Sequence, residues 1–557
     1  MPIVKSIWDR LLRILFIGLT FAYLLNIQLM FKTRIKKLSE QGIETEISGG
    51  NMTTNHNCFI EFDEHRSLQE QVREYLVKTI LDGIFPADQA LPSCRNLSNQ
   101  LKVSRNTISL VYESLLDSGY LISKPRSGYY LAEKYRHSSY LNDGLELEVD
   151  LDLEHVMDET NNHQVAPNWE AKLKVHTSQY QRVVKPSHWS CYQYPFIYGQ
   201  PSINDFPLVQ WREASRKVMA NPHDHRWLCD KVDKDDEQLI EQIRTRVLPQ
   251  RGIHASSEEI LITMGSQNAL YMLAQLLMDR CSRIGVENPG YKEANNIFSL
   301  AGATLHPHQV DSEGILLNPL SSMCDFFYVT PSHQAPTGVT MSDQRRQLLL
   351  QQAQQNDAII IEDDYDSESN VETQPKPALK ALDKSDRVIY VSSFSKLLAP
   401  GLRIGYIVAP EELIYELRSL RRLMYRHPPT RAQMELSHFI TQGYYDSYLR
   451  KFREQTRQRW ELIDNAVHKH IPFCERLAKK ELANALWLQT PDNMNSQHLA
   501  SRAAQLGVLI ETGYSHFMPD PNNSLSIPPD HYFRLGFHAI KKDLIEDGII
   551  ALARAME

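Results

Sequence analysis

Residues 387–406 read RVIYVSSFSKLLAPGLRIGY, and their reading decides the fold of most of the chain. Arg387 to Val391 is a short run of β-branched and aromatic residues, the composition of a buried strand. It runs directly into Ser392-Ser393-Phe394-Ser395-Lys396 and then Gly401-Leu402-Arg403-Ile404-Gly405-Tyr406. A lone lysine is ordinarily a solvated surface residue; Lys396 is flanked by hydroxyls and followed by an apolar stretch. Similar runs occur upstream at Ile260–Thr263, Phe326–Val329 and Ala358–Ile361, with helical patterns between them. That rhythm predicts an α/β sheet with helices on both faces, whose ligands gather at the carboxyl ends of the strands.

Polar residues follow each run at that end. Gly265-Ser266-Gln267-Asn268 is a small-residue turn opening a helix, which offers free N–H groups to a phosphate but is also ordinary capping. Asn288-Pro289-Gly290-Tyr291 puts an aromatic ring on a loop, for packing or for stacking on a flat ligand. Pro331-Ser332-His333-Gln334 precedes the turn Pro336-Thr337-Gly338. In Glu362-Asp363-Asp364-Tyr365-Asp366 the crowded carboxylates are costly unless a cation or a protonated nitrogen offsets them. A metal is the rival reading of that cluster, but no companion ligands accompany it, so no metal site is assigned.

In order and spacing these pieces resemble the fold-type I pyridoxal phosphate enzymes, with aminotransferases as the nearest group. The resemblance implies that Lys396 forms the Schiff base, that Asp363 pairs with the protonated pyridine nitrogen and that Tyr365 bonds the ring hydroxyl. It implies a phosphate cradle of Ser266, Gln267, Ser393, Ser395 and Arg403, and a stacking role for Tyr291. Tyr532-Phe533-Arg534-Leu535-Gly536-Phe537 resembles the strand whose arginine grips a ligand carboxylate bidentately, which assigns that role to Arg534. Two stretches depart from the pattern. Ala335 stands where many aminotransferases have Asn, and DKVDKDD at residues 230–236 replaces a Gly-containing turn.

Nearer the N-terminus, Leu68, Val72, Tyr75, Leu76 and Ile80 recur at helical spacing. Ser93 and Ser104 are N-caps for a helix from Cys94 to Gln100 and a second from Arg105 to about Asp117. Arg105, Asn106 and Thr107 then lie at the start of the second helix, suited to phosphates and base edges. Residues 121–131, LISKPRSGYYL, predict two short strands around a turn, a wing with Lys124 and Arg126 at its tip. From Arg66 to Glu133 there are eight Lys/Arg against seven Asp/Glu, so binding to nucleic acid rests on clustering: Arg95, Lys102, Arg105, Lys124 and Arg126, with Ser104, gather on the two elements that would face DNA. A protein-binding module of the same shape is the alternative from pattern alone. The wording of residues 91–131 resembles the winged helix of GntR-type bacterial regulators, which implies that the chain binds double-stranded promoter DNA as a dimer on paired half-sites.

The combination of PSHQAPTGVTM (331–341) and EDDYDSE (362–368) with this head resembles the MocR branch of GntR regulators over residues 66 to 556. The implied domains are a winged helix at 66–133, an acidic linker at 134–190 and an aminotransferase-like effector domain at 191–557. The linker is read from eight acidic residues between Asp143 and Glu159, with no Lys or Arg from Asn142 to Lys172. The implied function is a cytoplasmic, pyridoxal phosphate-dependent transcription regulator. It would sense an amine or amino acid effector through aldimine exchange at Lys396, as a head-to-tail homodimer. A working aminotransferase with an accessory DNA-binding head, and a pyridoxal-sensing repressor with no amine effector, stay open beside it.

Bulk properties bound these readings. With 557 residues, 42% hydrophobic and 23% charged, the chain can bury several cores, and its net charge of −8 excludes a generally basic nucleic-acid coat. The seven cysteines are scattered singly, which points to reduced thiols. Residues 1–51 form a hydrophobic extension in which Ile14 to Phe31 is about long enough to span a bilayer, with Lys32, Arg34, Lys36 and Lys37 after it. Either this is a membrane anchor with the domains facing the cytoplasm, or translation begins at Met52 and the extension is a gene-model artefact.

Overall fold

The computed structural model describes residues 60, 62–63, 66–85, 89–125, 127–135, 167–183, 185–199, 205–220, 225–366, 376–478, 484–491, 494–519 and 527–557. The apolar run 14–31, the acidic stretch 143–159 and Arg126 lie outside them. No helix among the described residues is long and apolar enough to cross a membrane. The chain divides into two compact units, Met1–Gln164 and Val165–Glu557.

Among the described residues the first unit has three α-helices, α1 (Leu68–Leu81), α2 (Cys94–Leu101) and α3 (Arg105–Asp117), and a hairpin of β1 (Leu121–Lys124) with β2 (Gly128–Leu131). The caps are those expected: Ser93 Oγ accepts from Asn96 N at 3.2 Å, and Ser104 Oγ from Thr107 N at 3.0 Å. Between them the chain turns at Lys102, which holds a left-handed conformation (φ 54°). Val72, Leu76, Ile80, Leu97, Ile108, Val111 and Leu115 form one core with Leu121 and Leu131 of the hairpin. The antiparallel register Leu121↔Leu131 brings those two leucines to the same end of the hairpin, so the wing is seated on the helices.

The second unit is built on an eight-stranded sheet. Its strands are β3 (Ile260–Thr263), β4 (Arg283–Asn288), β5 (Thr304–Asp311), β6 (Gly314–Ile315), β7 (Phe326–Val329), β8 (Ile359–Asp363), β9 (Val388–Ser393) and β10 (Gly405–Val408). Across the sheet they run in the order β3-β10-β9-β8-β7-β4-β5-β6. Neighbours from β9 to β5 are parallel, while β10 is antiparallel to both β9 and β3. Alternate residues face opposite cores, as the period of a strand requires. Leu261, Ile361, Ile389 and Val391 pack with the helices Ser266–Leu277 and Lys292–Ala301. Ile260, Ile262 and Tyr390 instead join Leu436, Phe439 and Ile440 of the helix Thr430–Thr441.

Two strands extend beyond their apolar runs. β8 continues through Glu362 and Asp363, and β9 through Ser392 and Ser393, because the parallel ladder pairs Tyr390↔Glu362 and Val391↔Asp363 regardless of side-chain polarity. A second antiparallel sheet has the order β11 (Glu475–Arg476), β12 (Ala485–Gln489), β14 (Tyr532–Gly536), β13 (Glu511–Thr512). Trp487 and Glu511 flank Arg534 on its two sides.

The connector expected at 134–190 differs from the structure over its second half. Residues from Val165 onward group with the second unit. Asn296 Nδ2 donates to Gln181 O at 2.8 Å and Lys185 Nζ donates to Tyr198 O at 2.6 Å, ties between distant residues that leave no trace in composition. The departure at 230–236 is likewise absorbed into structure. Asp236 caps the helix Glu237–Gln242 and receives Arg226 Nη1 at 2.8 Å, and the buried Asp235 receives Arg421 Nη1 at 2.7 Å.

Leu97 is fully buried in the first unit's core, so Leu97→Ala is expected to destabilise that unit by about 2–5 kcal/mol, read from urea unfolding.

Candidate functional site

Because β3, β4, β8 and β9 all point the same way, their carboxyl ends deliver residues to one edge of the sheet. A cavity of about 350 Å³ opens there. Among the residues lining it are Ser266, Tyr291, Asp363, Tyr365, Ser393, Ser395, Lys396, Arg403 and Arg534. Of the residues assigned from sequence to this site, Gln267 alone is absent from the lining; its side chain is exposed.

The turn after β3 is shaped by two close approaches. Gly265, at φ 81°, precedes the helix Ser266–Leu277, and a Cβ there would stand 2.9 Å from Arg403 Nη2. A Cβ on Gly405 would stand 2.8 Å from the Gly265 backbone. Glycine at both positions lets β10 lie against the turn and brings the Arg403 guanidinium to the helix N-terminus, where Nη2 donates to Met264 O at 2.8 Å. Ser395 Oγ is buried without a partner, whereas Ser393 Oγ accepts from Ser395 N and donates to Ile404 O, both at 3.2 Å. Free helix N–H groups, an arginine and an unpartnered hydroxyl make an anion cradle.

At the end of β8, Asp363 is 2% exposed. Its Oδ2 accepts from Tyr328 Oη at 2.9 Å, while Oδ1 is buried with no partner. Burial pushes its carboxyl up to about 7 against the opposing pull of the Tyr328 hydrogen bond. The other carboxylates of the cluster face elsewhere. Glu362 accepts from the backbone N–H groups of Leu379 and Lys380 at 2.8 and 2.9 Å. Asp364 accepts from Arg251 Nε and Tyr390 Oη, each at 2.7 Å. The offsetting cation anticipated for the crowd is Arg251, more than a hundred residues away in sequence.

Lys396 Nζ donates to Asp366 Oδ2 at 2.7 Å and to the Tyr198 hydroxyl, and lies 4.1 Å from the ring centres of both Tyr198 and Tyr365. Asp366 is steadied by Asn484 Nδ2 at 2.7 Å. Burial, with Arg534 and Lys185 nearby, holds the Lys396 ammonium well below the usual lysine range.

Two of the assigned side chains already carry partners. The Tyr365 hydroxyl donates its proton to His333 O at 3.0 Å, so toward a bound ring it is left as an acceptor. Arg534 is not free to present a full fork, because Nη2 already pairs with Glu511 Oε1, its neighbour across the β13–β14 ladder. Glu511 also meets His516 Nε2 at 2.9 Å and is held at about 2, because against its burial Arg534, His516 and Lys185 together prevail. Tyr198, Asp366, Glu511 and Lys185 were not assigned from sequence. Asp366 stood in the quoted carboxylate run, but the others depend on register and on chain segments that meet only in three dimensions.

On the first unit, Arg95, Lys102, Arg105, Asn106 and Lys124 are exposed. The side chains of Arg105 and Asn106 have no partner among the described residues. Ser104 and Thr107 have a structural duty as well, since their hydroxyls bond each other at 2.8 Å within the cap of α3. Lys124 Nζ lies 4.4 Å over the Tyr130 ring, which holds the ammonium on the hairpin.

Comparisons with known proteins agree with both units. Residues 68–131 match the family described as bacterial regulatory proteins, gntR family, and residues 202–476 match aminotransferase class I and II. The chain is similar to the HTH-type transcriptional regulator TauR of Rhodobacter capsulatus, at 33% identity over 88% of this chain and 96% of the relative. It is also similar to the probable rhizopine catabolism regulatory protein MocR of Rhizobium meliloti, at 29% identity over 88% of this chain and 93% of the relative. Among solved structures, the kynurenine aminotransferase of Pyrococcus horikoshii superposes with a TM-score of 0.59 and 26% identity, over 65% of this chain and 90% of that one.

A carboxyl whose folded pKa is raised to about 7 stabilises the fold most when protonated, fully so below its unfolded value near 4, and that contribution is lost as pH rises through 7. Asp363→Asn is therefore expected to stabilise the ligand-free chain at pH 8 by on the order of 3 kcal/mol, with the difference vanishing toward pH 4, measured by denaturant unfolding across that range.

Proposed function

The chain belongs to the MocR and TauR type of transcription regulator, in which a GntR-type DNA-binding domain is joined to an aminotransferase class I and II domain, and on that premise we propose that its second unit holds pyridoxal phosphate and uses it to sense a small amine or amino acid. The observation that carries this reading is Asp363 Oδ1, a buried acceptor without a partner on the same cavity as Lys396. A protonated pyridine nitrogen supplies the donor that this oxygen lacks, and its charge would draw the carboxyl back below neutrality. Pyridoxal phosphate, when bound, supplies an aldehyde carbon able to condense with a primary amine.

The chain's own residues divide the remaining work. The N–H groups at Ser266 and Gln267, with Ser395 and Arg403, hold the phosphate, and Ser393 orients Ser395. Tyr291 covers the ring and Tyr365 offers its phenol oxygen to the ring hydroxyl. Lys396, whose ammonium burial disfavours, would anchor the cofactor as the attacking amine and would give way to an effector amine. When it is displaced, Asp366 and the Tyr198 and Tyr365 rings stand ready to receive it.

In the first unit, the start of α3 enters the major groove of promoter DNA through Arg105, Asn106 and Thr107. Arg95 and Lys102 of the α2 turn, with Lys124 and Arg126 of the wing, contact phosphates. Two copies arranged head to tail read paired half-sites, in the cytoplasm where bacterial DNA lies. Effector binding changes how the pair presents its DNA-binding units, an equilibrium shift set by the ligand's preference for one arrangement.

Adding pyridoxal phosphate to the purified chain is expected to produce a visible absorption band that shifts with an amine effector; an unchanged spectrum in Lys396→Ala would sink the assignment. Steady conversion of an amine and a keto acid over many turnovers would instead make the chain an aminotransferase with an accessory DNA-binding head. Arg105→Ala is expected to weaken operator binding by about tenfold and to lower the slope of log affinity against log salt by about one, measured by fluorescence anisotropy at several salt concentrations.

A further inference from the structure

Arg534 faces the cavity with its charge already answered by Glu511, and burial disfavours the charged form of His516 beside it. A second cation stands at the cavity. Lys185 lines it, on the chain segment that sequence had placed in the connector, and its ammonium donates to a neutral partner, the Tyr198 carbonyl, at 2.6 Å. It has no carboxylate partner among the described residues. Tyr198 ties this end together: its carbonyl holds Lys185, its ring lies 3.9 Å from Arg534 Cζ, and the same ring lies 4.1 Å from Lys396 Nζ. Arg534 and Lys396 are thus each about 4 Å from one ring centre, and no more than about twice that separates them.

Burial disfavours the Lys185 ammonium and Glu511 favours it; with Lys185 protonated, Arg534, Lys185 and Glu511 leave a single surplus positive charge at this end of the cavity. A ligand with one negative charge neutralises it, whereas a doubly charged group brings an uncompensated charge into a poorly solvated place. We propose that Lys185 and Arg534 together receive the anionic end of the effector, and that Glu511 is a built-in counter-ion restricting that end to one negative charge. The site then takes a short amino acid with a single carboxylate or sulfonate and excludes dicarboxylates. This inference rests on the reading of the cavity as an amine-sensing site, and it makes Lys185 a specificity-determining residue on the segment leading in from the DNA-binding unit.

The test is calorimetric titration of the full chain loaded with pyridoxal phosphate, using β-alanine, propylamine and L-aspartate as probes. Lys185→Met is expected to weaken β-alanine by about tenfold while leaving propylamine within about twofold, and Lys185→Arg to restore β-alanine. In Glu511→Gln the preference for β-alanine over L-aspartate is expected to narrow by about tenfold. Because that change leaves a buried arginine without its charge partner, the chain without cofactor offers a second measurement: propionate binds, more tightly than malonate, and Lys185→Met weakens propionate by about tenfold. Equal losses for β-alanine and propylamine in Lys185→Met, or no loss for β-alanine, would overturn the inference. A wild-type chain that takes up no amine yet binds propionate through Lys185 would overturn the sensing mechanism and keep the anion site.

Discussion

The parallel pairing of β8 with β9 is the constraint on which the site depends. It sets Asp363 beside Val391 and carries both strands past their apolar runs into polar sequence, so that a carboxylate and the hydroxyls leading to Lys396 emerge together at one edge. Parallel strands put all their carboxyl ends on one side, and β3, β4 and β7 add Ser266, Tyr291 and Ala335 to the same cavity through the loops that follow them. The antiparallel β10 enters from the other direction and contributes Arg403 just before its first residue. Glycines 265 and 405 allow that entry, since the backbones approach too closely for a side chain.

Each carboxylate around this edge has a local partner on at least one oxygen, while Asp363 Oδ1 and Asp364 Oδ1 are buried without one. Glu362 is met by backbone N–H groups, Asp364 by Arg251 and Tyr390, and Asp366 by Lys396 and Asn484. Of Asp363 and Asp364, Asp363 is the one that lines the cavity, with one oxygen held by Tyr328 and the other unpartnered. A buried carboxylate in that state is expensive, and its raised pKa expresses the cost. A donor brought to Oδ1 by a ligand would lower that cost.

The DNA-binding unit obeys a simpler rule. The starts of α2 and α3 are capped by serines that the sequence displays openly, and the core recurs at helical spacing, so local signals and the final structure coincide there. Arg105 and Asn106 are exposed at the start of α3.

Local sequence determined a great deal here. Strand runs, capping serines and the order of polar loops depend on neighbouring residues, so the two-domain architecture and eight of the nine cavity-facing assignments around Lys396 could be read before any coordinates, with Gln267 turned outward instead. Tertiary structure alone decided which charges meet. Glu511 reaches Arg534 only through the β13–β14 register, Arg251 reaches Asp364 across more than a hundred residues, and Lys185 enters the cavity because Tyr198 offers it a carbonyl. The reason is physical: helix caps and strand periodicity are written at spacings of a few residues, whereas an ion pair is fixed by the distance between two side chains, which folding sets and composition does not encode.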